Sequence, residues 1–102
     1  VVRNRAKERR LHEQVCERDG ERCCDCGKHT LEIHHIISRR YKGAWDIRNL
    51  LCLCPDCHRG NNDAHTHTRR LQHIKYLHER FGYDYGEMGE LWQQLWHELD
   101  KD

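Results

Sequence analysis

Two Cys-x2-Cys pairs, Cys23/Cys26 and Cys54/Cys57, are separated by 27 residues in a chain of 102. No other feature constrains the fold as much. A tetrahedral Zn²⁺ takes four thiolates at about 2.3 Å, and two such knuckles brought together supply them. The competing reading is a pair of buried or oxidisable dithiols. Seven cysteines is an odd number, so intrachain disulfides cannot use every thiol. The chain also needs a crosslink. Hydrophobic residues make up 36% against 34% charged, and the mean hydropathy is −1.10. A domain of this size buries only about two-thirds of its unfolded surface, so a thin core is expected to lean on an extra covalent or metal crosslink. Three cysteines remain. Cys24 competes weakly with Cys23, because Cys24-x-Cys26 is one residue short of a knuckle. Cys16 falls on an expected helix and Cys52 in an expected strand, where a free thiol behaves as a small core residue.

The elements around the knuckles follow from periodicity. Residues 3–18 read as a helix with Ala6, Leu11, Val15 and Cys16 inward and a basic face opposite, ended by Asp19-Gly20. Residues 31–37 (LEIHHII) and 50–53 (LLCL) read as strands joined by a polar loop over 38–48 with Gly43 at its turn. Pro55 suits the first turn of a short helix carrying Cys57 and His58. Leu71, Ile74, Leu77 and Phe81 keep helical spacing, so a helix from Thr66 or Thr68 to Phe81 is expected, with Gly82 just beyond it. A last helix over 86–99 aligns Met88, Leu91, Trp92, Leu95, Trp96 and Leu99, a stripe expected to be core. No repeat or low-complexity linker interrupts 1–102, which reads as a single α+β domain.

Charge and hydropathy exclude some roles. No apolar run approaches the roughly 18 residues that span a bilayer, so no membrane partner is expected. The opening VVRNRAKERR lacks the apolar stretch of a signal peptide, and a cytoplasmic place is expected. The net charge of +1 hides an asymmetry: residues 1–42 carry +4, residues 43–81 carry +2, and residues 82–102 carry −5. The first two segments suit a polyanion, although a solvated helix face explains such charge equally well.

Between the knuckles lie His34-His35 near the end of the first strand, Asn49 before the second, and His58 after Cys57. Adjacent residues on a regular strand face opposite ways. At a strand end, one imidazole can bind a metal while the other faces a substrate. The order "ERDGERCCDCG", "IHHII", "KGAWDIRNLLCLC" and "CPDCH" over residues 15–62 resembles the HNH endonucleases, in particular their four-cysteine zinc subgroup with a ββα-metal fold.

The resemblance implies a role for each matching residue. His35 corresponds to the general base, His34 and His58 to ligands of a catalytic divalent ion (Mg²⁺, Mn²⁺, Ni²⁺ or Zn²⁺), and Asn49 to the residue that fixes the loop and orients the base. Cys23, Cys26, Cys54 and Cys57 correspond to the structural zinc ligands. Phosphodiester hydrolysis needs an activated water and a Lewis acid on the phosphate, and an imidazole titrating near 6.5 is a usable base at neutral pH. Arg39, Arg40 and Lys42 in the loop, with Arg3, Arg5, Arg9 and Arg10 on the first helix, are candidate phosphate contacts. Asn62 and His65 are candidates for a further metal ligand, while His65 and His67 are otherwise surface residues.

The expected function is therefore a metal-dependent DNA endonuclease that nicks, or cuts both strands when a second copy or a partner protein cooperates. The alternative is a zinc-stabilised nucleic-acid-binding module without catalysis.

Overall fold

The computed structural model describes residues 4–38, 45–59, 64, 66–85 and 89–100. The chain falls into two compact units, residues 1–65 and 66–102.

The first unit begins with α1 (Arg5–Arg18). Asn4 caps it by accepting the Lys7 N–H at 3.0 Å, which satisfies one donor that the first turn leaves unpaired. Val15 and Cys16 are buried on its inner face and Leu11 is half-buried. Ala6, expected on that face, is exposed, and Glu8 is buried instead. The reason is length. Fourteen helical residues extend about 21 Å, whereas strands of three residues reach only about 10 Å, so the apolar contact of α1 with the hairpin is confined to Leu11, Val15 and Cys16.

The two strands, β1 (Ile33–His35) and β2 (Leu50–Cys52), pair antiparallel with Ile33 opposite Cys52, His34 opposite Leu51 and His35 opposite Leu50. The first is shorter than the expected 31–37 because its neighbours are bonded elsewhere. The Glu32 N–H goes to the Thr30 hydroxyl at 3.0 Å, and the Ile37 N–H goes to Asn49 Oδ1 at 2.9 Å. A 3-10 turn, Ile47–Asn49, leads into β2, which is followed by α2 (Pro55–Arg59). One face of the hairpin packs on α1 through Val15, Cys16, Leu50 and Cys52, flanked by Ile33, Trp45 and Ile47.

An ion pair ties the end of α1 to β2. Arg18 donates to both Asp19 carboxylate oxygens (2.8 and 3.0 Å), to the Ile47 carbonyl (2.9 Å) and to the Leu50 carbonyl (2.6 Å). Asp19, 1% exposed at its side chain, accepts the Cys52 N–H at 2.9 Å. Each buried polar group thus has its partners, which a buried charge requires.

The second unit contains α3 (His67–Phe81) and α4 (Glu90–Asp100). Thr66 caps α3, and Gly82 closes it in the left-handed region at φ 72°, its N–H on the His78 carbonyl at 2.8 Å. Ile74 and Leu77 are buried as the spacing predicts, and so is His73. Helix α4 begins at Glu90 rather than 86; Met88 lies outside the described residues. Trp92 and Leu95 are buried, with Tyr85 stacked on Trp92 at 5.2 Å and tilted against Trp96 at 5.8 Å. His67, an exposed residue, pairs with Glu98 at 2.9 Å. Among the described residues, no helix is long and apolar enough to cross a membrane.

Candidate functional site

The sequence between α1 and β1 forms the first knuckle. An isolated bridge, Arg22 opposite His29, closes a short hairpin, with the Cys23 N–H on the Lys28 carbonyl at 2.8 Å. Gly27 adopts φ 80°, a conformation that a side chain would strain, and its N–H returns to the Cys23 carbonyl at 2.9 Å. The second knuckle is the turn from β2 into α2. Pro55 lacks the N–H that a helix start would leave unpaired, and the His58 N–H reaches the Cys54 carbonyl at 2.9 Å.

These turns bring Cys23, Cys26, Cys54 and Cys57 together, with all four sulfurs within 4.8 Å of one another and Cys26 Sγ 3.5 Å from Cys54 Sγ. A tetrahedron of Zn–S bonds has S···S edges of about 3.8 Å, so the donor set fits a tetrahedral metal. The electrostatics fit as well. Burial pushes the Cys23 thiol up, but backbone N–H groups of Cys54, Cys26 and Asp25 stabilise its thiolate and bring it down to about 7. Cys57 is pushed well above its ordinary value by burial and by the neighbouring thiols. A divalent cation relieves that crowding, because it stabilises all four thiolates at once. The knuckles form a metal centre, and a structural zinc is the ion that a four-thiolate set suits.

Cys16 and Cys52 are not part of it. They lie in the core between α1 and β2, and burial raises both thiols.

A second cluster sits on the other side of α2. Alternation along β1 turns His34 away from α1, and its fully buried ring meets His58 with centroids 4.7 Å apart and planes at 70°. Glu32 shares the His34 face of the chain, two residues earlier. Its Oε1 lies 3.4 Å from His58 Nδ1 and 2.7 Å from Arg59 Nη1. The carboxylate therefore lies beside the Nδ1 edge of the His58 ring and is held by Arg59.

His35 faces the α1 side, where its ring meets Trp45 edge-on at 4.7 Å and 86°. Asn49, 0% exposed, holds the chain that leaves His35. Its Oδ1 accepts the Ile37 N–H at 2.9 Å, its Nδ2 donates to the Ile37 carbonyl at 3.1 Å, and its own carbonyl accepts the Ile36 N–H at 2.9 Å.

The structure thus brings His34 and His58 together, separates His35 from them by strand alternation, and ties Asn49 to Ile36 and Ile37, the residues that follow His35. Arg39, Arg40, Lys42, Asn62 and His65 lie outside the described residues. Sequence reasoning passed over Glu32 and Trp45. The period-2 relation of Glu32 to His34 was a usable signal, but nothing in the local pattern marks Trp45.

A family model described as HNH endonuclease matches residues 14–64, half of the chain. No curated protein and no solved structure matches it.

Proposed function

Because the chain belongs to the HNH endonuclease family and carries its nuclease-type domain, we propose that it is a metal-dependent DNA endonuclease that hydrolyses phosphodiester bonds. The observation that carries this reading is the meeting of His34 and His58 across β1 and α2. Two imidazoles side by side, one with a carboxylate beside it, would suit an exchangeable divalent ion, with His34 and His58 as its protein ligands. Held there, such an ion supplies Lewis-acid stabilisation of the scissile phosphate and the leaving 3′ oxygen.

The chain's own residues do the rest. A ring nitrogen of His35 takes the proton of the attacking water, as a neutral imidazole can near pH 7. Asn49 keeps the backbone after His35 in place, so that the base does not have to be ordered when substrate arrives. The zinc held by Cys23, Cys26, Cys54 and Cys57 pins α2 to the hairpin and takes no part in the reaction. Arg39, Arg40 and Lys42 contact phosphates, which gives affinity without sequence choice. One such site cuts one strand at a time, so a double-strand break needs a second copy or a second event.

The test is supercoiled plasmid incubated with zinc-loaded protein and added Mg²⁺, Mn²⁺, Ni²⁺ or Zn²⁺, with and without chelator, beside His34→Ala. Nicked or linear product with at least one ion, abolished by chelator and by His34→Ala, is expected. Plasmid that stays supercoiled under every ion while the protein binds it would overturn the nuclease reading and leave a binding module.

A further inference from the structure

On the α1 side of His35 there is a cleft of about 450 Å³ lined by Arg5, Glu8, Arg9, His12 and Trp45. The four helical residues recur at three- and four-residue spacing along α1, so they form one face of it. Trp45, half-buried, forms the opposite wall and touches the His35 ring. The His12 Nε2 is engaged with the Leu31 carbonyl at 2.6 Å, which anchors one end of the cleft to the chain before β1.

The charge on offer is positive. Glu8 is only 9% exposed, whereas Arg5 and Arg9 are exposed, and neither guanidinium has a carboxylate partner among the described residues. Two exposed guanidinium groups without a carboxylate partner among the described residues, opposite a partly buried indole, match a nucleotide, which presents an anionic phosphate and a flat π-face together. The wall that carries the indole also carries His35.

We propose that this cleft is a nucleotide subsite for DNA, in which Arg5 and Arg9 contact the backbone next to the scissile phosphate and Trp45 stacks on a base. The proposal rests on the endonuclease reading, since it takes His35 to mark the place of cleavage. It gives α1 a function beyond packing. The helix becomes the second bank of a DNA channel whose first bank is the hairpin, and Trp45 favours DNA in which a base is displaced from the stack. Nicked or single-stranded DNA presents such a base at low cost; intact duplex does not.

The experiment uses the full chain and fluorescence anisotropy of labelled DNA, either intact duplex or the same duplex with a central nick, in buffer without added divalent ion. Wild type, Arg5→Gln/Arg9→Gln, Trp45→Ala and Trp45→Phe are compared after zinc content and circular dichroism have shown each to be folded. The double arginine variant is expected to bind both DNAs more weakly and to flatten log Kd against log [salt] by up to about 2. Trp45→Ala is expected to lose about 5- to 100-fold in affinity for nicked DNA and less for duplex, and Trp45→Phe to recover most of that loss. Phe keeps a stacking face, so its recovery of the nicked-DNA preference separates stacking from support of the fold, even where Trp45→Ala proves unstable.

Unchanged affinity and salt slope in these variants, with a wild type that cuts plasmid, would overturn the cleft and leave the endonuclease standing. A wild type that neither binds DNA nor cuts plasmid under any ion would overturn that reading, and the cleft with it.

Discussion

Two faces of α2 carry two clusters of side chains that differ in how they are closed. At one, four thiols from two separate turns lie within 4.8 Å of one another, enough to fill a tetrahedron. At the other, two imidazoles meet at 4.7 Å with a carboxylate behind one of them. A filled tetrahedron leaves no position for substrate and contributes its binding energy to folding. An unfilled one contributes less to folding and leaves positions for chemistry. The same five-residue helix (Pro55–Arg59) serves both because Cys57 and His58 are consecutive and so project about 100° apart around it.

That contrast breaks if a thiol can be lost without unfolding the chain. Cys57→Ser removes one corner of the closed cluster, and structural zinc in small domains is worth on the order of 10 kcal/mol at neutral pH. The expected result is loss of bound zinc and of cooperative thermal unfolding together. A zinc-free variant that melts like the parent would show that the core does not depend on the ion.

His35→Ala probes the open side. Zinc content and melting should stay near wild type, while plasmid cleavage falls about 10²- to 10⁴-fold, the range for loss of a general base. Unchanged cleavage would assign the base elsewhere.

Glu32→Gln sharpens the comparison further. Removal of a carboxylate behind a metal-binding imidazole costs about 10- to 100-fold in metal affinity. Calorimetric titration should show the exchangeable ion weakened by that factor with the thiol-bound zinc retained. Equal loss at both would mean that Glu32 supports α2 as a whole.

The smallest expected effect concerns the thiols outside both clusters. Burial raises Cys16 and Cys52 above the ordinary thiol value, so little thiolate forms at neutral pH. Alkylation of the zinc-loaded native protein, followed by mass spectrometry, should leave both unmodified until denaturant is added.

The thiol cluster was legible in the sequence as spacing, whereas the pairing of His34 with His58 followed from the resemblance to the HNH family. Two Cys-x2-Cys pairs favour a shared metal over oxidisable dithiols, and adjacent histidines followed by Asn and Cys-x2-Cys-His carry the resemblance. Thr66 and Gly82 likewise marked the ends of α3, since caps are local. The missing parts depend on long-range competition for backbone groups. Residues 31–37 have strand composition throughout, but Ile37 is claimed by a side chain twelve residues away, and no local pattern encodes that. Ala6 has the right phase for burial but lies beyond the reach of a hairpin that turned out short. The contact between Trp45 and His35 joins a loop residue to a strand, with no periodicity to reveal it.

The Arg18–Asp19 pair has a consequence for how the chain finds its active arrangement. A slip of one residue between β1 and β2 would turn each side chain of the slipped strand to the opposite face. It would exchange His34 with His35, leaving a fold of the same composition with its imidazoles transposed. Arg18 grips the carbonyls of Ile47 and Leu50 and Asp19 the amide of Cys52, so β2 can dock on α1 in one alignment only. Asn49, at the head of β2, then sets β1 through Ile36 and Ile37. If β2 shifted against α1, the ion pair would be buried without those partners. The clasp therefore fixes where β2 lies on α1, and Asn49 carries that alignment on to β1.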